Sequence, residues 1–223
     1  MRRYLLLSSA LLIASLGAAS TADAASSKGC RALVAKDKSK IVVRGKTSLV
    51  ARRGTLADYN LTYKACLYSK PRLYKLRSDG ATERYARFTL AGNFMAYAHT
   101  DVEEASAFYP SWIELVDLKR RVQVYQHDAY PAGPSEETAA GIPQILLRTD
   151  GAVAWIATND TSDPSNYSVQ TILPSQANPA EVDRGPDVGP TSLRRSVQSA
   201  DVFSWERGGV RKEAAYGGPT VTP

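Results

Sequence analysis

Few side chains in this chain are suited to chemistry, and their spacing narrows what they do. There are two histidines, His99 and His127. Nucleophile–His–acid catalysis needs a histidine near a Ser or Cys. His99 opens HTDVEE (99–104) at the end of an apolar run, and His127-Asp128 follows another run. Neither lies in a nucleophile motif, so both read as surface or hydrogen-bonding residues, with His127 on a loop. Asp101, Glu103 and Glu104 cluster in one segment and Glu136-Glu137 in another. Glycoside hydrolysis needs two carboxyls facing a sugar from opposite sides. One short loop rarely provides both, so these segments read as solvated acidic loops, and a carbohydrate-active hydrolase is the rival reading. Asp160 and Asp163, in TNDTSDPSN (158–166), are hard oxygen ligands of the kind calcium takes. Their spacing is not that of an EF-hand, and Asp, Asn, Ser and Pro are also ordinary turn formers. They are the candidate metal ligands. The chain has no phosphate-binding glycine loop, zinc spacing or dinucleotide fingerprint, so no catalytic residue and no cofactor is assigned.

Charge is the stronger signal. Residues 28–87 hold 16 basic and 4 acidic side chains, whereas residues 88–223 hold 10 basic and 17 acidic. Such asymmetry predicts one basic and one acidic face. Lys36, Lys38, Lys40 and Arg44 form the candidate anion-binding set, continued by Lys46, Arg52 and Arg53. The expected partner is an anionic cell-surface polymer or a protein, with no nucleic acid expected. The bland alternative is a solvated basic surface that keeps the protein soluble.

The start of the chain supplies the address. MRRYLLLSSALLIASLGAASTADAA has a basic opening, an apolar run from Tyr4 to Leu16 and small residues ending in Ala22-Asp23-Ala24. This predicts a secretory signal peptide over residues 1–24, cleaved before Ala25, with either general or twin-arginine export. The apolar run is too short to span a bilayer comfortably, so no membrane span is expected. Export to an extracellular or periplasmic space is oxidising. Cys30 and Cys66 are the only cysteines. With no CxxC pair and two histidines in all, a structural disulfide is favoured over a metal or catalytic site.

The elements that must position these residues are strands. AGNFMAY (91–97), TDGAVAW (149–155) and SADVFSW (199–205) share one pattern: a turn, a short apolar run, a small residue and a large aromatic. The aromatics are Tyr97, Trp155 and Trp205. A period of this size points to stacked antiparallel sheets, as in a β-propeller, with a β-sandwich or barrel as the alternative. The expected blades run through IVV, SLVAR, LTYKACLY and RLYKL, then ARFTLA, FMAYAHT, SWIELVDL and VQVYQ. ILLRT, VAWIAT, YSVQTIL and AEVDR form the next, and SLRRSV, VFSWE and VRKEAAY the last. Asp79-Gly80, Gly92-Asn93, Asp150-Gly151 and Gly208-Gly209 supply turns. The predicted domain spans residues 25–216 and is all-β, with CRALVAK (30–36) as a closing strand and residues 217–223 as a frayed tail.

WIELVDLKRRVQVY (112–125) resembles the third and fourth strands of WD-repeat and TolB-type propeller blades, and TDGAVAWIA (149–157) resembles their inner hairpin. The layout is similar to that of exported bacterial propeller-like proteins. The chain lacks the Gly-His and Trp-Asp dipeptides of the WD family. The resemblance implies a fold and leaves function open. The composite expectation is a secreted, non-enzymatic binding or structural module. A hydrolase and a calcium-binding extracellular module are the alternatives.

Overall fold

The structure is a computed structural model that describes residues 19–54, 61–76, 87–100, 111–130, 141–158 and 167–218. It is all-β apart from one helix, α1 (Ala19–Lys36). Four antiparallel sheets follow in chain order. Sheet 1 holds β1 (Lys40–Arg44), β2 (Ser48–Arg53), β3 (Thr62–Leu67) and β4 (Lys70–Lys75). Sheet 2 holds β5 (Arg87–Ala91), β6 (Phe94–Thr100), β7 (Ser111–Asp117) and β8 (Val122–Asp128). Sheet 3 holds β9 (Gly141–Leu147), β10 (Val153–Thr158), β11 (Tyr167–Ile172) and β12 (Ala180–Gly185). Sheet 4 has three strands, β13 (Arg194–Arg195), β14 (Val202–Arg207) and β15 (Val210–Ala215).

Alternation along the second strand of each sheet explains how they stack. Successive residues of a strand point to opposite faces. In β6, Met95 and Tyr97 pack with Val50, Tyr63 and Ala65 of sheet 1, while Ala96 and Ala98 face sheet 3. In β10, Val153 and Trp155 pack towards sheet 2, while Ala154 and Ile156 face sheet 4. In β14, Phe203 and Trp205 fill the layer towards sheet 3. Sheets 2, 3 and 4 thus turn their aromatics to the layer before them, and the small residue next to each aromatic in sheets 2 and 3, Ala96 and Ala154, faces the layer after.

The three aromatics occupy corresponding, buried places. The indole of Trp155 donates to the Ala129 carbonyl at 2.8 Å, just beyond β8. That of Trp205 donates to Asp183 Oδ2 at 2.7 Å, on β12. Both reach back to the outer strand of the preceding sheet. The turns stack as well. Thr47 donates to the Gly92 carbonyl, and a side chain at Gly92, held at φ +56°, would meet the Thr149 carbonyl.

Helix α1 corrects the sequence reading of residues 30–36 as a strand. Cys30 and Val34 are buried while Arg31, Ala35 and Lys36 are exposed, which is a helical spacing of four. The helix packs on Leu49, Ala51, Cys66 and Tyr68 of sheet 1. Ala51 stands where β6, β10 and β14 carry their aromatics, because a helix rather than a sheet precedes it. A disulfide joins Cys30 to Cys66 on β3 as expected, with a Cα–Cα distance of 5.9 Å. At the other end, Gly217 is not loose. Its amide donates to Thr171 Oγ1 at 3.1 Å, and Gln176 donates to its carbonyl at 2.6 Å. No described helix is long and apolar enough to cross a membrane.

Candidate functional site: a basic cleft between sheets 1 and 2

The α1 and sheet 1 end carries thirteen Lys and Arg against one acid, Asp37, among the described residues 28–76. Asp37 takes a hydrogen bond from Lys64 at 2.6 Å, a second from Ser39 at 2.5 Å, and lies 3.9 Å from Arg53. The bonds from Lys64 and Ser39 hold its carboxyl below the usual carboxylate range. In sheets 3 and 4 the cations are interleaved with acids instead. Arg148 pairs with Asp150 and Asp201, Arg184 with Glu181, Arg207 with Asp183 and Arg211 with Glu213.

Lys36, Lys38, Lys40 and Arg44 are exposed around the end of α1 and along β1, one edge of sheet 1. Lys38 closes the helix. Its amide donates to the Ala35 carbonyl and that of Ser39 to Val34, with Lys38 left-handed at φ 55°. This is a Schellman end, where glycine is the usual residue.

A second group, not picked out from sequence, gathers at the opposite edge. Lys70 and Arg72 project from β4, and Lys119 and Arg121 from the β7–β8 turn, around one cleft. Ala65, Leu67, Leu118 and Tyr74 form its apolar lining, and Ser69 completes it. The cleft holds about 480 Å³ including its open mouth. All four cations are exposed, and none has an ion-pair partner among the described residues.

The turn is built locally. Asp117 Oδ1 accepts from the amides of Lys119 at 2.9 Å and Arg120 at 3.0 Å. Arg121 then closes it at φ 61°, its amide bonded to the Asp117 carbonyl at 2.6 Å. Tyr74 donates to the Arg121 carbonyl at 3.4 Å, linking the two sheets. Lys38 and Arg121 are the two non-glycine residues with positive φ among the described residues. Both are basic and exposed. Across sheet 1, β1 and β4 are three strand spacings apart, about 14 Å, so the predicted set and the cleft do not merge. No single run of sequence reveals the cleft, because its halves lie 47 residues apart at Tyr74 and Arg121.

The histidines fall elsewhere. His99 lies 3.0 Å from Glu114 Oε1, with its ring between those of Tyr97 and Trp112. Glu114 is buried and was not marked by the sequence. The pair is a hydrogen-bonded dyad inside a sheet, as expected of His99. His127 lies within β8 rather than on a loop, because the strand runs on to Asp128. Its Nε2 and the Tyr125 hydroxyl are buried with no hydrogen-bond partner among the described residues, and their rings are 5.2 Å apart. Burial pushes the His127 pKa down, opposed by Asp128, and pushes the Tyr125 phenol up. Tyr216 is likewise raised to about 12 by burial.

Asp101, Glu103, Glu104, Glu136, Glu137, Asp160 and Asp163 lie outside the described residues. Among the described residues, no three His, Cys, Asp or Glu side chains group to hold a metal.

No family model and no curated protein matches the chain. Among solved structures, the chain is similar to Porphyromonas gingivalis dipeptidyl peptidase 4 at 10% identity and a TM-score of 0.49, over 79% of this chain and 31% of that one. It is also similar to the AtxE2 isopeptidase in its apo form, at 11% identity and a TM-score of 0.25, over 76% of this chain and 32% of that one. The chain therefore spans about a third of the length of each. At these scores neither likeness informs fold or activity.

Proposed function

We propose that the protein is an exported, non-enzymatic binding module that engages an anionic polymer at the cell surface through its α1 and sheet 1 end. The observation that carries this reading is the accumulation of cations there, thirteen Lys and Arg against the single Asp37 among the described residues 28–76. Ordinary surfaces mix the two signs, as sheets 3 and 4 do. A concentration of one sign raises the local density of counter-ions and speeds capture of an opposite polymer. Export is supported by the leader pattern of residues 1–24 and by the Cys30–Cys66 bridge, which suits an oxidising compartment. We read the four sheets as propeller-like blades, a scaffold that presents its edges and turns to partners.

The test is retention on immobilised heparin and on isolated cell walls over a salt series. Retention should fall steeply from low to physiological salt, because exposed charges are screened over about 8 Å there. Reversing Lys36, Lys38, Lys40 and Arg44 to Glu should weaken it further. Retention indifferent to both salt and charge reversal would reduce the basic end to a solubilising surface.

A further inference from the structure

We infer that the cleft between β4 and the β7–β8 turn is a specific seat for a chain of phosphodiesters joined by short carbon linkers. This rests on the polyanion reading above and names the ligand class and the residues that read it.

Three features of the cleft go beyond net charge. First, Lys70, Arg72, Lys119 and Arg121 converge on one depression with no acid among its described lining residues. Four like charges in one cleft repel each other, and an anion lying between them relieves that repulsion. The two guanidinium groups offer planar forks of donors that match phosphate oxygens in pairs, and the two ammonium groups add point charge.

Second, the backbone at Arg121 is left-handed, a conformation that favours glycine. A charged residue is kept where glycine would relieve strain, and such outliers cluster at ligand clamps. Leu118 is anchored through its amide to the Asn93 carbonyl at 2.8 Å, so the turn holds a fixed position.

Third, the lining between the cations is carbon: Ala65, Leu67, Leu118 and the Tyr74 ring. Among the described residues, no amide or carboxylate side chain lines the cleft to sort sugar hydroxyls, and Ser69 and Tyr74 bring the side-chain hydroxyls there. A uronic-acid polymer would find its charges met but its hydroxyls unmatched. A phosphodiester chain lays phosphates against the rim and its linkers along the apolar lining.

The experiment is calorimetric titration of the full chain with poly(glycerol phosphate) and with polygalacturonate matched in total charge, at low and at physiological salt. Wild type should bind the phosphodiester polymer about tenfold tighter. The double variant Arg72→Glu with Arg121→Glu should erase that preference. Reversing Lys36, Lys38, Lys40 and Arg44 should weaken both polymers alike and leave the preference intact. Arg121→Gly removes the guanidinium while relaxing the backbone, so the variant should fold at least as stably yet lose about threefold or more of the preference. Equal binding of the two polymers, or a preference that survives both cleft variants, overturns the cleft and leaves the general polyanion reading standing. Phosphatidylglycerol vesicles bound in preference to the soluble chain overturn the soluble polymer as ligand. Failure to bind either polymer or the vesicles removes the general reading itself.

Discussion

Lys38 shows how one residue can be costly for the fold and still be kept. A left-handed conformation costs an L-residue about 1–2 kcal/mol relative to the right-handed one, a cost glycine avoids. Lys38 holds that conformation at a helix end closed by two backbone hydrogen bonds. Lys38→Gly should therefore stabilise the protein by up to about 1 kcal/mol in urea unfolding, while weakening retention on polyanions. His127 argues in a different direction. Burial lowers its pKa in the folded state, so the unfolded chain binds the proton more readily. The stability it contributes is full above the ordinary histidine pKa of about 6.5 and is lost as pH falls through the lower folded value. His127→Phe should flatten the stability profile in that acidic window. A slope unchanged by the substitution would place the titration elsewhere.

At the scale of elements, the small residue before each aromatic sets how closely sheets approach. Ala154 is fully buried between sheets 3 and 4, against the layer that holds Phe203 and Trp205. Ala154→Leu should cost about 1–3 kcal/mol by overpacking, read as a shift of the urea midpoint with an unchanged slope. This alternation was legible in the sequence, since turn, apolar run, small residue and aromatic recur at Tyr97, Trp155 and Trp205. The strands followed from it, and the bridge was legible separately, since only Cys30 and Cys66 were available to pair. Helix α1 was not legible. Its apolar residues Cys30, Leu33 and Val34 are too few to separate a period of two from one of 3.6. The helix is fixed instead by what it covers, Leu49 and Ala51 on one face of β2. The cleft was not legible either. Lys70 and Arg72 look like any exposed strand edge, and Lys119 and Arg121 like any turn, until the stacking of two sheets brings them to one opening.

The whole molecule is a series of layers. Four apolar clusters join α1 to sheet 1, sheet 1 to sheet 2, sheet 2 to sheet 3 and sheet 3 to sheet 4, in that order. Among the described residues no cluster joins sheet 4 to sheet 1. Arrays whose units contact mainly their neighbours distribute stability along the chain, and a local loss need not spread. The Cys30–Cys66 bridge closes a separation of 36 residues. Reducing it should remove about 3–4 kcal/mol by the loop-entropy relation. That loss falls on α1 and sheet 1, because both cysteines lie in the cluster they share. Hydrogen exchange followed by mass spectrometry, with and without reductant, should then show faster exchange in peptides covering α1, β2 and β3. Peptides covering β10, β11 and β14 should keep their protection, since Trp155 and Trp205 are held by layers the bridge does not touch. Loss of protection in all sheets together would instead reveal a single cooperative unit, in which the end layer governs the stability of the stack. If the loosening stays local, it also lowers polyanion affinity under reducing conditions, because the cations of α1, β1 and β4 are arrayed on the layers that reduction frees.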